Sequence, residues 1–469
     1  MFYGKYTKKG VIMRFKNNEL DIPQDNPFKN DALKDREEAG NVLTEFIEAV
    51  ETPFVISLNA GWGQGKTTFL KMWRQHLINN DYKVMYFSAW ESDYSDDVLT
   101  VILTELGHYI NKNKSELQKV EDVFKDLVLS GGKLLIKAGP DYLKKILPDT
   151  GKEIVDKYSE SFCEYFFEKI TGDGNNKNAL IEFKEKLEEF AKHLADCNDN
   201  KKPFVIIVDE LDRCRPNYAI EFLEKIKHLF DVKNILFVVG IDKKEVEKFI
   251  PAVYGDINCN EYLQRFFDIE FNLPANFKDN YLASLFERFD INLKELVRED
   301  EAFNCQEVLT DLFKMYELTL REQNLCISCL AFALNQVKGT KTLYSIILSF
   351  LIVLKIKKPE LYLNFIKDNS DVDDLMNDFI LHDKENLLNL ENRYYRLEVM
   401  LAVCKNSLYN LDAVKDHYRK KIETETDAKL KDRWEFILRE MDIGNVRFRQ
   451  NNVSLPKILQ KIELFYSFF

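Results

Sequence analysis

Apolar residues follow two rhythms along this chain, and the change between them divides it. In the first half, short continuous apolar runs stand at Phe54–Leu58, Lys83–Trp90, Phe204–Val208 and Asn234–Gly240. Runs of this length, rich in β-branched and aromatic residues, read as strands buried on both faces. Between them, apolar residues recur every three or four positions, which predicts helices at Ala32–Val50, Thr67–Asn79 and Pro216–Phe230. Asn30-Asp31 offers a cap to the first of these, and Thr52-Pro53 breaks it. Buried strands alternating with helices predict a parallel, doubly wound α/β sheet. Beyond Phe271-Asn-Leu-Pro274 the strand rhythm fades. Asn280–Phe289, Glu307–Leu318, Leu320–Gln336 and Thr340–Lys355 have helical spacing, as do most later segments, so this half is expected to be all-α.

A third stretch interrupts the sheet pattern. From about residue 93 to 200 the chain is charged and helical in spacing, with candidate helices at Asp96–Tyr109, Val120–Val128, Tyr142–Ile146, Glu153–Ile170 and Asn178–Ala195. Gly131-Gly132, Gly139-Pro140 and Gly172–Gly174 punctuate it. It reads as a helical insertion. The expected organisation is an N-terminal segment 1–30, a sheet domain 31–274 with the insertion inside it, a helical lid 275–370 and a C-terminal helical region 371–469.

Composition narrows the function classes. A formal net charge of −12 gives no overall cationic field to favour nucleic acid or acidic lipid. The longest apolar stretch, Leu343–Leu354, is shorter than the roughly 18–20 residues a spanning helix needs. Met1–Asn17 is basic but lacks the apolar core of a signal peptide, so a cytoplasmic protein without a membrane segment is expected. The 8 cysteines and 6 histidines are scattered. Cys326 and Cys329 have C-x-x-C spacing, but no second pair or histidine follows to complete a zinc site, and on one helix face they read as core.

The chemistry-bearing residues begin where the first strand ends. Ala60-Gly-Trp-Gly-Gln-Gly-Lys-Thr-Thr68 supplies the end of the phosphate-binding signature G-x-x-x-x-G-K-[ST], with Ala60 at its first position. Gly61, Gly63 and Gly65 keep side chains clear of the phosphate path, and a methyl at Ala60 costs only if φ is positive there. Backbone N–H groups of such a turn and of the helix it opens converge on phosphate, Lys66 reaches the β- and γ-phosphates, and the Thr67 hydroxyl is a Mg²⁺ ligand. Gly61, Trp62, Gly63, Gln64, Gly65, Lys66, Thr67 and Thr68 are therefore the expected nucleotide-binding run. The buried strand Phe204–Val208 ends in Asp209-Glu210. That pair suits hydrolysis: Asp209 in the Mg²⁺ shell, Glu210 polarising the attacking water. The blander alternative is a strand ending in two solvated carboxylates. Asp242, at the end of the next strand, fits a polar sensor of the γ-phosphate or a helix N-cap. Arg213 and Arg215 read as structural partners of Asp212 and neighbouring acids.

Taken together, W-G-x-G-K-T at Trp62–Thr67, Phe87-Ser-Ala-Trp90, Asp209-Glu-Leu-Asp-Arg-Cys-Arg-Pro216, Val238-Val-Gly-Ile-Asp242 and Glu261-Tyr-Leu-Gln-Arg-Phe-Phe267 resemble the KAP family of P-loop NTPases. These belong among the AAA+-like, additional-strand ATPases. The resemblance covers about residues 31–274, with weaker likeness to about Lys358, and implies a Mg²⁺-dependent ATPase, of the branch without transmembrane helices. It further implies an arginine finger at Arg265, a lid arginine at Arg321, homo-oligomers, partner or effector proteins, and a place in bacterial anti-phage defence. Many relatives have glycine where Ala60 stands and a second aspartate where Glu210 stands. No N/T-K-x-D motif follows the strands, so ATP rather than GTP is the expected nucleotide. Two other classes compete: a nucleotide-gated oligomeric scaffold with little hydrolysis, and a small-molecule kinase, for which no acceptor pocket is visible.

Overall fold

The computed structural model describes residues 20–94, 97–113, 117, 120–132, 176–196, 202–274, 279–289, 291, 299–335, 345–367, 372–382, 393–405, 411–426, 428–451 and 455–467. The expected helices Tyr142–Ile146 and Glu153–Ile170, the Gly139-Pro140 and Gly172–Gly174 punctuation, and Met1–Asn17 lie outside the described residues. The chain divides into two compact units with the break between Asn276 and Phe277.

The first unit is built on five strands: β1 (Phe54–Asn59), β2 (Val84–Ser88), β3 (Phe204–Asp209), β4 (Ile235–Ile241) and β5 (Ile269–Asn272). Their order is β2-β3-β4-β1-β5, and every pairing is parallel. The α/β class expected from the apolar runs is the class observed. Alternate residues of each strand feed opposite layers, as the pleat requires. Phe204, Ile206 and Val208 of β3 pack with Phe183, Phe190 and Phe222, whereas Val205 and Ile207 pack with Phe69 and Trp73 on the other face. The second layer comes from α1 (Arg36–Ala49) and α2 (Lys66–Asn79), tied by a hydrogen bond from Trp73 Nε1 to Thr44 Oγ1 at 3.0 Å. The first layer holds helices of the insertion, α4 (Val98–Lys112), α5 (Glu121–Gly132) and α6 (Asn176–Asp196), together with α7 (Pro216–Leu229) and α8 (Lys243–Tyr254). A short α9 (Cys259–Leu263) leads to β5. That strand lies at the sheet edge and is largely exposed, which is why its apolar signal is weak.

Two local expectations are corrected. Helix α1 starts at Arg36 instead of Ala32, because the Asp31 carboxylate accepts hydrogen bonds from Leu33 N (3.0 Å) and Arg36 N (3.2 Å) and Lys34 takes a left-handed φ of 59°. The cap residue thus builds an extra turn ahead of the helix. The second strand stops at Ser88, not Trp90. Ser88 Oγ accepts from Glu91 N at 3.3 Å and caps the four-residue α3 (Ala89–Ser92).

The second unit is helical throughout its described residues and packs around one apolar core. Cys326 and Cys329 are buried in that core on helix Leu320–Asn335. Burial pushes the Cys329 thiol up to about 12 and Cys326 well above its ordinary value, which suits packing and not metal ligation. No helix among the described residues is long and apolar enough to cross a membrane.

Candidate functional site

Because all the strands run parallel, their C-terminal ends share one edge of the sheet. Ser88 is in register with Asp209, and Asn59 with Ile241. Strand β4 lies between β1 and β3, so the loop after β1 and the acids ending β3 are two strand spacings apart, about 10 Å. Open α/β sheets bind ligands at such an edge. Gly240 on the intervening strand keeps the gap usable. A methyl there would come within 2.7 Å of Leu70 Cδ1 and 3.0 Å of Asp209 Oδ1.

The loop is shaped by two glycines, Gly63 (φ 79°) and Gly65 (φ 82°), whose left-handed backbone only glycine adopts freely. Gly65 is the N-cap of α2, so Lys66, Thr67 and Thr68 form its first turn and bring unpaired N–H groups to the loop. Ala60 has no positive φ. It is buried, and its N–H donates to Ile241 O at 3.1 Å. A glycine is therefore not needed at this first position. Sequence reading missed Arg36, which is buried and donates from Nη2 to Gln64 O at 3.0 Å, bracing the loop from behind. No sequence signal marks it, because the helix expected from Ala32 puts Arg36 in its second turn and only the observed start at Arg36 brings it to the loop.

Lys66 is also buried, and its Nζ lies 2.9 Å from Asp212 Oδ2 and 3.4 Å from Ala60 O. The same Asp212 oxygen accepts from Trp62 Nε1 at 2.7 Å and from Asp242 N at 2.9 Å. Asp212 thus pairs with the loop lysine and not with the arginines beside it. Those have other partners: Arg213 Nη1 meets Glu210 Oε1 at 2.6 Å, and Arg215 Nε meets Asp93 Oδ1 at 2.9 Å. Asp242 occupies the N-cap position of α8, but its carboxylate makes no capping bond. Instead Oδ2 accepts from Trp62 N at 3.0 Å, so Asp242 touches the loop.

The two acids ending β3 occupy different settings. Asp209 is fully buried and accepts from Tyr86 Oη at 3.0 Å, from Glu210 N at 2.8 Å and from the Thr67 hydroxyl. Burial pushes its pKa up, against the lowering effect of those three donors. Glu210 stands in the left-handed region (φ 62°, ψ 25°), a strained conformation for a residue with a side chain. Its Oε2 accepts from Ser88 Oγ at 2.7 Å while Arg213 holds Oε1. The Arg213 guanidinium in turn lies 5.6 Å from the centre of the exposed Trp90 ring. The Phe87–Trp90 segment therefore supplies one partner of Glu210 and supports the other.

The remaining two candidates have settings of their own. Arg265 is exposed after α9, with its guanidinium 5.9 Å from the centre of the Tyr262 ring. Among the described residues it shares no hydrogen bond or ion pair with the loop or the acids. Arg321 is exposed on helix Leu320–Asn335 and belongs to the second unit.

The model of the KAP family P-loop domain matches residues 36–390. Over 259 residues, 52% of this chain, it is 21% identical to the phage T7 exclusion protein of Escherichia coli (strain K12), and the match covers 34% of that relative. This chain thus spans about a third of that relative's length. It is 26% identical over 177 residues to an uncharacterised protein, MJ0182, of Methanocaldococcus jannaschii, a match covering 33% of this chain and 88% of that protein. The family match reaches across the sheet, the loop and the acidic strand end, and the chain belongs to the KAP family of P-loop NTPases.

Proposed function

We propose that this chain is a Mg²⁺-dependent ATPase whose turnover acts as a conformational switch for partner proteins. The observation that carries this reading is the meeting of Lys66, the Thr67–Asp209 pair and Glu210 at one edge of the sheet. Lys66 and the N–H groups of Gly63–Thr68 bind the phosphates. Thr67 and Asp209 offer hard oxygen donors already in hydrogen-bond contact, which fits Mg²⁺. That ion, when bound, neutralises charge on the phosphates. Glu210 takes the proton of a water whose oxygen attacks the γ-phosphorus, and ADP leaves with the bridging oxygen. To do so the carboxylate must first leave Ser88 and Arg213. Asp242, in contact with the loop through Trp62 N, senses the γ-phosphate.

The remaining machinery follows the same reading. Arg265 is donated to a neighbouring copy in a homo-oligomer, where a cation stabilises the transition state; its exposure supports this reading. Residues 275–370 act as a lid presenting Arg321, with 371–469 as a further helical region, in a cytoplasmic protein. A role in phage exclusion is the biological setting, because one relative has that name.

A nucleotide-gated scaffold is the second reading, favoured by one observation: both oxygens of Glu210 are engaged by Ser88 and Arg213. Phosphate release from Mg·ATP separates the two. Glu210→Gln is expected to bind ATP like the wild type and release phosphate at least about 100-fold more slowly. Equal, slow release by two chains that both bind ATP would establish the scaffold instead.

A further inference from the structure

Asp212 is neither a metal ligand nor a base in this scheme, yet it occupies the lysine on which phosphate binding depends. Its side chain is 1% exposed. One oxygen, Oδ2, accepts from Lys66 Nζ, Trp62 Nε1 and Asp242 N. The other, Oδ1, is buried and has no partner among the described residues. The grip on Lys66 is therefore through a single oxygen, without the two-point geometry that makes carboxylate pairs hardest to break.

The surroundings make this arrangement competitive. Asp209, Glu210 and Asp242 lie at the same edge, and among the described residues the cations in contact with the four acids here are Lys66 and Arg213. A carboxylate oxygen and a phosphate oxygen are equivalent acceptors for an ammonium. A second anion arriving at Lys66 is repelled by Asp212 across a poorly solvated gap. Resting on the nucleotide-binding reading, we propose that Asp212 is a built-in competitor for the nucleotide's phosphate. It holds Lys66 and the Trp62 indole in the nucleotide-free chain, and phosphate binding takes Lys66 from it while the indole stays on the carboxylate. Asp212 shares the 3₁₀ turn Leu211–Arg213 with the arginine that holds Glu210. The exchange therefore acts on the segment that restrains the proposed base.

Titration calorimetry with Mg²⁺ and a β,γ-imido ATP analogue tests this in wild type, Lys66→Ala and Asp212→Asn. Asp212→Asn is expected to bind about tenfold more tightly than wild type, the factor by which a site free one time in ten is weakened. Equal or weaker binding by Asp212→Asn, with wild-type binding dependent on Lys66, overturns the competition and leaves the nucleotide reading intact. Wild-type binding that is absent, or indifferent to Lys66, overturns the nucleotide reading itself and the competition with it. If Asp212→Asn does not fold, the wild type still answers. In ¹⁵N-tryptophan-labelled protein with 4 indole signals, the Trp62 signal is assigned by its loss in Trp62→Phe. It should move downfield when the analogue binds, as the carboxylate that accepts it loses its ammonium partner. A signal that stays in place or moves upfield overturns the proposal.

Discussion

Lys66→Ala is expected to abolish ATP binding and, separately, to destabilise the sheet unit by about 3–5 kcal/mol. The second effect follows from burial. Lys66 is 8% exposed and Asp212 2% exposed, so removing the ammonium leaves a carboxylate with no cation in a poorly solvated place. Breaking a buried pair from one side is costly for that reason, whereas removing both charges together is not. Urea denaturation of Lys66→Ala, Asp212→Asn and the double variant separates the two effects. The double variant should regain most of the lost stability, giving a large coupling energy, and should regain none of the ATP binding. A single Lys66→Ala variant as stable as wild type would mean that the pair is solvated. Recovery of ATP binding by the double variant would remove Lys66 from the phosphate site.

Arg433→Ala is expected to be the most damaging single change in the helical unit. Glu398, 1% exposed, accepts from Arg433 Nη2 at 2.5 Å and from Tyr418 Oη at 2.7 Å. Burial and the neighbouring Glu398 push the Tyr418 phenol up, so it remains a neutral donor and cannot replace the lost cation. The cost is again about 3–5 kcal/mol, and for a unit of this size the melting temperature should fall by roughly 6–20 °C. Adding Glu398→Gln should restore a large part of the loss, since the remaining amide carries no charge. A fall of only a degree or two in Arg433→Ala, measured by the helical signal on heating, would contradict this account.

What the sequence reveals about the fold is what contiguous residues determine. Phe204–Val208 is apolar without interruption because both its faces are covered, so its strand character and burial are readable directly. The same holds for the loop, whose glycines, lysine and threonine are neighbours. Pairings set by the order of strands are different. Lys66 and Asp212 stand 146 positions apart, and Ser88 and Glu210 stand 122 apart. They meet only because β3 lies beside β2 and β4 separates β3 from β1. Charge alone pairs Asp212 with the adjacent arginines, but a 3₁₀ turn directs successive side chains to different partners. The start of α1 differs from the expected Ala32 for a local reason, since Asp31 builds a turn of its own before the helix. Ala60 shows the opposite case: a residue that departs from the glycine pattern turns out to need no left-handed backbone.

The proposed function requires that Lys66, Thr67, Asp209 and Glu210 form one nucleotide-hydrolysing site. Its most direct test is a crystal structure of the chain with Mg²⁺ and a non-hydrolysable ATP analogue. The expected result has Thr67 and Asp209 at the metal, Lys66 on the phosphates, and the Glu210 carboxylate turned away from Arg213 toward a water. Nucleotide bound elsewhere, or a metal held by residues other than Thr67 and Asp209, would contradict it.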